Sequence, residues 1–115
     1  MPKALIHIKD GLRRVLDTEK VYYLEADQGD TIIRQRGKKT VRDIRQLGEL
    51  APIWESKGFI RIHRNHLVNP DFIQEIRRRP GQRDWEIKLV PPVNQILSVS
   101  RSQQKRLWSA FGQHD

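Results

Sequence analysis

The residues of this chain best suited to chemistry lie in one run, Phe59-Ile60-Arg61-Ile62-His63-Arg64-Asn65-His66-Leu67-Val68-Asn69. Apolar and polar side chains alternate through its first half. That is the period of a half-buried strand, and it presents arginine and histidine to water. Val68-Asn69-Pro70-Asp71 then closes the strand with a turn. Such a surface suits an anionic partner. His63 and His66 also invite a metal, but residues three apart on a strand point to opposite faces. There is no cysteine to help, and His7 and His114 lie near the chain ends. No metal and no cofactor is expected. Arg77-Arg78-Arg79, the densest basic run, alternates faces in the same way and reads as a mostly solvated strand end. Asp71 or Glu75 with a histidine would be the minimum for a hydrolase. The sequence has no activated nucleophile motif, no glycine-rich phosphate loop and no paired acids at a strand end, so it does not read as an enzyme.

Composition narrows the partner. The chain has 115 residues with a formal net charge of +8 and a pI near 10.3. An anionic partner relieves the self-repulsion of so basic a domain. Nucleic acid is the first such partner and an anionic membrane surface the second. Charged residues make up 31% and hydrophobic residues 37%, below the usual apolar fraction. This predicts one domain with a small or elongated core. The absence of cysteine fits a reducing cytoplasm. No apolar run approaches the roughly 20 residues of a membrane span, and Leu5 opens an apolar stretch too short for a signal peptide. A cytoplasmic protein without a membrane segment is expected.

The elements that must carry the basic run are mostly short strands. Leu5–Ile8, Leu12–Leu16, Val21–Leu24 and Thr31–Arg36 are separated by turns at Asp10-Gly11, Asp17-Thr18 and Asp27–Asp30, with a hairpin tip at Gly37-Lys38-Lys39. From Asp43, a plausible N-cap, apolar residues fall at near-helical spacing. Pro52 predicts a helix only to about Leu50, and Gly58 ends the segment. A short helical turn follows at Pro70. Ile73–Arg79, Trp85–Leu89 and Ile96–Val99 read as strands, with turns at Pro80-Gly81 and Pro91–Asn94. A C-terminal helix capped by Ser100 turns Lys105 and Arg106 to water and packs Leu107, Trp108 and Phe111 inward. Trp54, Trp85 and Trp108 read as core.

Residues from Val21 to Leu107 resemble the LytTR family of bacterial DNA-binding domains. The central run is similar to the family pattern Phe-x-Arg-x-His-Arg-Ser-aromatic-aliphatic-Val-Asn, with Asn65-His66 standing where serine and an aromatic are usual. Val21–Ala26 resembles its early Tyr-Ile-Glu-Ala strand, Thr40–Leu50 its helix entry, and Val99-Ser100-Arg101 its late Val-Ser-Arg element. In place of the Asp-Gly-like hairpin common before the last strand, this chain has Pro91-Pro92-Val93-Asn94. The resemblance implies a mainly β fold: a stack of small antiparallel sheets with a mid-chain helix and a C-terminal helix. Residues 1–20 would be N-terminal strands within or leading into the domain, 21–111 the DNA-binding domain, and 112–115 a tail.

Function is implied in the same way. The family regulates transcription by inserting loops, not a recognition helix, into successive major grooves. Its base-reading positions, carried over one at a time, fall at Asp30 or Thr31, at Arg64 and at Arg101. An arginine can donate twice to O6 and N7 of guanine. An acid such as Asp30 must accept from cytosine N4 or orient a neighbouring arginine, while Thr31 could meet a thymine methyl or a phosphate. Phosphate contacts are expected from Lys38, Lys39, His63, Asn65, Ser102 and Lys105. The partner is double-stranded DNA, with direct repeats implied by the resemblance. There is no heptad run, so the protein should be a monomer off DNA and bind it as two copies. Receiver domains common in the family are not in these residues, and an upstream signalling protein is a candidate partner. A small basic β-type RNA-binding module is the alternative. It would need exposed aromatics on a sheet, and aromatics are 7% here, with Tyr22-Tyr23 the one cluster.

Overall fold

Alternation of apolar side chains decides the middle layer of the molecule. β3 (Val21–Asp27), β4 (Asp30–Gln35), β5 (Lys39–Asp43), β6 (Ile60–His63) and β7 (His66–Val68) form a five-stranded antiparallel sheet in the order β5-β4-β3-β7-β6. A computed structural model describes residues 2–113. His114 and Asp115, from the expected tail, and the side chain of Lys38 lie outside the described residues.

Each face of this sheet is covered. On one face Leu24, Ile33, Val41 and Leu67 meet Ala4, Ile6 and Leu16 from the two-stranded sheet of β1 (Lys3–Lys9) and β2 (Leu12–Asp17). Leu47, Leu50 and Trp54 of α1 (Leu47–Glu55) complete that core. Trp54 is fully buried and stands edge-on to Phe59 at 5.0 Å between centroids, a geometry worth about 0.5–1.5 kcal/mol beyond its buried area. On the other face Tyr23, Ile62 and Val68 meet Ile87, Leu89, Leu97 and Val99. These come from the sheet β10-β9-β8, made of β8 (Ile73–Arg78), β9 (Trp85–Leu89) and β10 (Ile96–Val99). Leu107 of α2 (Gln104–Ala110) joins them. The β3–β4 register slips between Val21 and Tyr23. That bulge lets Val21 and Leu24 enter one core while Tyr22 and Tyr23 enter the other. The result is mainly β, a stack of small antiparallel sheets with a mid-chain and a C-terminal helix as the sequence predicts; the described residues form three sheets. The body measures 48 × 27 × 27 Å.

Several expectations need correction. Asp43 does not cap α1; it ends β5, fully buried, and the helix begins four residues later behind Gln46. Its carboxylate accepts from the backbone N–H of His7 (3.1 Å) and of Arg45 (2.9 Å), and from the Arg45 guanidinium at 2.8 and 3.1 Å. Burial alone would raise this group, but the Arg45 donors and the His7 N–H more than offset it, and its pKa lies below the ordinary carboxylate value. Pro52 does not end α1, which runs on to Glu55. A proline there forfeits one backbone bond, to Gly48, and burial of Leu50, Ala51 and Trp54 outweighs that loss. Ser100 makes no side-chain cap; a 3₁₀ turn, Arg101–Gln103, precedes α2. Phe111 is 51% exposed rather than packed. Trp85 and Trp108 are only half-buried, edge-to-face at 5.0 Å. The central run is not one strand but a hairpin, β6–β7, turning at Arg64-Asn65. His63 and His66 are therefore cross-strand partners with rings 5.8 Å apart, not residues on opposite faces. Among the described residues no cluster of three metal-ligating side chains occurs.

Candidate nucleic-acid interface

Three turns come together at one end of the central sheet. The first joins β3 to β4 through Gln28 and Gly29, both with positive φ (50° and 88°), the two-residue turn that matches strand twist in a hairpin. Asp27 and Asp30 face each other across it. Arg42, on the neighbouring β5, holds both: Nη1 reaches Asp30 at 3.3 Å and Nη2 reaches the Asp27 carboxylate. Asp30 is thus half of an ion pair, and its charge does not face outward unopposed. Thr31, expected near DNA, is unavailable to it. It is fully buried and its hydroxyl donates to the Arg45 carbonyl at 2.9 Å.

The second turn is the β6–β7 tip, with Arg64 and Asn65 exposed. The Ala26 N–H donates to the Asn65 carbonyl at 2.9 Å and ties this tip to the first turn. Together with Gln46, Leu47 and Gly48 at the start of α1, the two turns line a concavity of about 360 Å³ that includes Asp30, Arg64 and Asn65. The Arg64 guanidinium makes no ion pair among the described residues. His63 accepts from the Asn65 N–H at 3.2 Å through Nδ1. Burial first, then the nearby His66, Arg64 and Arg61, hold its pKa below the ordinary histidine value. It therefore stands neutral at pH 7, able to donate to a phosphate from Nε2–H but not as a cation. His66 is occupied by Glu25, 2.9 Å away.

The third turn is Arg101–Gln103. The Ser100 N–H donates to the Ile62 carbonyl at 2.8 Å, two residues from Arg64 in the chain. Arg101 is 75% exposed at its side chain and pairs with Asp84 at 3.2 Å. An exposed pair of this kind contributes about 0–1 kcal/mol, so it opens readily. Ser102 is exposed, its hydroxyl 3.4 Å from that of Ser100. Lys105, exposed on α2, lines a groove of about 490 Å³ with Arg61 and Arg106.

Lys39 is not brought to this end. It pairs with Gln35 at the far end of β4 from Asp30, a separation of about 17 Å at the usual rise per residue. The backbone of Lys38 sits in the same distal turn. The Arg77–Arg79 run is less free than its composition predicts. Arg77 and Arg79 both pair with Glu86, at 3.0 and 3.5 Å, and Arg78 lies over the Trp85 ring at 5.0 Å.

Two supporting arginines were not anticipated. Arg42 could have been found from hairpin register, because β5 paired back on β4 sets it opposite Ile32, beside the aspartate turn. Arg61 donates from Nε to the His63 carbonyl at 2.8 Å and from Nη2 to the Arg64 carbonyl. Only knowledge of the turn at Arg64-Asn65 would have revealed that.

A family model described as the LytTr DNA-binding domain matches residues 13–112. Among solved structures, the chain is similar to the LytTr DNA-binding domain of a protein described as a methyl-accepting/DNA response regulator from Bacillus cereus. The TM-score is 0.74, at 23% identity over 96% of each chain. No curated protein matches the sequence.

Proposed function

The chain belongs to the LytTR family of DNA-binding domains, and from that premise we propose that it reads double-stranded DNA sequence-specifically as a cytoplasmic transcriptional regulator. The observation that carries this is the convergence of three turns at one end, tied by the Ala26–Asn65 and Ser100–Ile62 backbone bonds. Arg64, with no ion pair among the described residues, stands at the middle turn and a weakly held Arg101 at the next. Loops on a rigid sheet are the natural place for recognition. In this reading Arg64 and Arg101 donate to guanine, Asp30 orients Arg42, and His63, Asn65, Ser102 and Lys105 approach phosphates. The RNA-binding alternative loses support, because Tyr22 and Tyr23 are 4% and 3% exposed and cannot stack on bases.

Replacing Arg64 or Arg101 with alanine should cost about 1–3 kcal/mol on the preferred duplex and relax preference at one position each. Lys105→Ala should weaken all sequences alike. Competition titrations against single-base variants of a site selected from a random duplex pool make the comparison. Uniform losses from both arginine changes would mean that they, too, are backbone contacts.

Occupancy rests on the family resemblance and on the absence of a dimerisation element: no helix of the described residues is long enough for a coiled-coil seam. We infer a monomer off DNA and two copies on a direct repeat. A half-turn insertion between repeats should abolish cooperativity, while a full turn preserves it. Sedimentation of the free protein and titration of spaced duplexes test this. A stable dimer without DNA, or indifference to the half-turn, would refute it.

A further inference from the structure

We propose that Arg61 is the positioning residue for the Arg64-Asn65 turn, fixing the angle at which Arg64 meets DNA; this rests on the reading of Arg64 as a base contact. Arg61 lies on β6, half-buried, and points toward the tip of its own hairpin. Its guanidinium donates to two successive features of that tip, the carbonyls of His63 (2.8 Å) and Arg64. A guanidinium is a planar fork, so two such bonds set an orientation as well as a distance. The turn they grip is otherwise held by the Ala26 N–H on the Asn65 carbonyl and the Asn65 N–H on His63 Nδ1. Every one of these bonds engages a main-chain group of the tip, and the Arg64 side chain makes no ion pair among the described residues.

Two further facts set Arg61 apart from a surface cation. It makes no ion pair among the described residues, although it shares a groove with Lys105, Arg106 and Glu55. Glu55 faces Arg106 instead, at 3.6 Å. Arg61 therefore has no carboxylate partner among the described residues, and its contacts are carbonyl oxygens. Those oxygens carry lone pairs at the tip nearest the DNA, where they would repel phosphate. Arg61 covers both and leaves its charge on that side.

The test is a thermodynamic cycle on the full chain, using the selected duplex, single-base variants of it and an unrelated duplex. The variants are Arg61→Gln, Arg61→Lys, Arg64→Ala and Arg61→Gln combined with Arg64→Ala. Arg61→Gln should relax preference about five- to tenfold at the base pair that Arg64→Ala relaxes, and leave the position assigned to Arg101 unchanged. Added to Arg64→Ala, it should relax that pair no further, because the two act through one contact. Arg61→Lys, which keeps the charge but not the fork, should bind the unrelated duplex as the parent does and still discriminate poorly. Three results would overturn the proposal. One is loss of affinity for all duplexes alike with a salt slope lower by about one, the mark of a phosphate contact. Another is full discrimination by Arg61→Lys. The third is additive loss in the double variant. If Arg64→Ala itself relaxes no position, the reading of Arg64 falls and this proposal with it. If only the Arg61 variants keep discrimination, the proposal alone falls.

Discussion

Raising monovalent salt from 50 to 200 mM should weaken binding to the preferred duplex by roughly 10³- to 10⁴-fold. The net charge is +8, and about six to eight phosphate contacts would release as many counterions, giving a slope of log K against log salt of about −5 to −7. The structure refines where those contacts can come from. Arg77 and Arg79 are already matched by Glu86, and Arg42 by Asp27 and Asp30, so they add little net attraction. Lys105 has no carboxylate partner among the described residues and is free for such a contact, while Arg64 and Arg61 add their charge to the field at that end. A filter-binding or fluorescence titration at four or more salt concentrations measures the slope. A value shallower than about −2 would show that the domain does not rest on the duplex backbone.

The second large effect is on folding. Asp43→Asn should destabilise the domain by roughly 3–5 kcal/mol at pH 7, because it leaves the Arg45 guanidinium without its buried counter-charge. The Asp43 carboxylate is fully buried and receives four donors. Arg45 also donates to the Leu5 carbonyl at 3.0 Å, so the same cluster fastens β1 to the end of β5. The sign of the pH dependence follows from the lowered pKa. A carboxylate held below its ordinary value of 3.8 in the folded state contributes stability that is fully present above that value. The contribution is lost as pH falls through the lower native value. The gap between parent and variant should therefore be widest near neutrality and close below about pH 3.8. Urea unfolding at pH 7 and pH 3 measures it. A gap below 1 kcal/mol at pH 7, or one equal at both pH values, would contradict the assignment.

What the sequence revealed and what it hid have separate physical causes. Strands with strict alternation, such as Trp85–Leu89, and turns marked by glycine or Asn-Pro are local signals, and the structure places them where the pattern does. The hairpin turn at Arg64-Asn65 carries no glycine and no proline, so a continuous run of good strand residues conceals it. Its two-residue reversal also turns the His63–His66 spacing from an argument for opposite faces into a cross-strand pair. Asp43 fits an N-cap by spacing to the apolar helix pattern, but Arg45, two residues on, pairs with it instead, and the burial of that pair depends on β1, which a local pattern does not reveal. Pro52 is a helix breaker by propensity; three buried apolar neighbours override it. At the site, Arg64, Asn65, Arg101 and Ser102 lie on turns at one end. Thr31 is drawn into the core by one residue of strand register, since its neighbours on either side in β4 alternate outward. Arg42 acts on a turn of the neighbouring hairpin, which register alone would place, and Arg61 acts on the turn of its own hairpin, which stays hidden because Arg64-Asn65 carries no glycine or proline.

The pairing of Arg101 with Asp84 has a consequence for how selective such a domain can be. Asp84 offers Arg101 what a duplex offers everywhere, an oxygen anion within reach. Any outside acceptor must therefore beat an acceptor the protein already carries, and a single stray phosphate is a near-even exchange. A guanine edge that accepts two bonds at once is not. With Arg101 read as the base contact proposed above, Asp84 would act as an internal reference weight: every sequence met would be compared with the same resident carboxylate, and Arg101 would register only the difference.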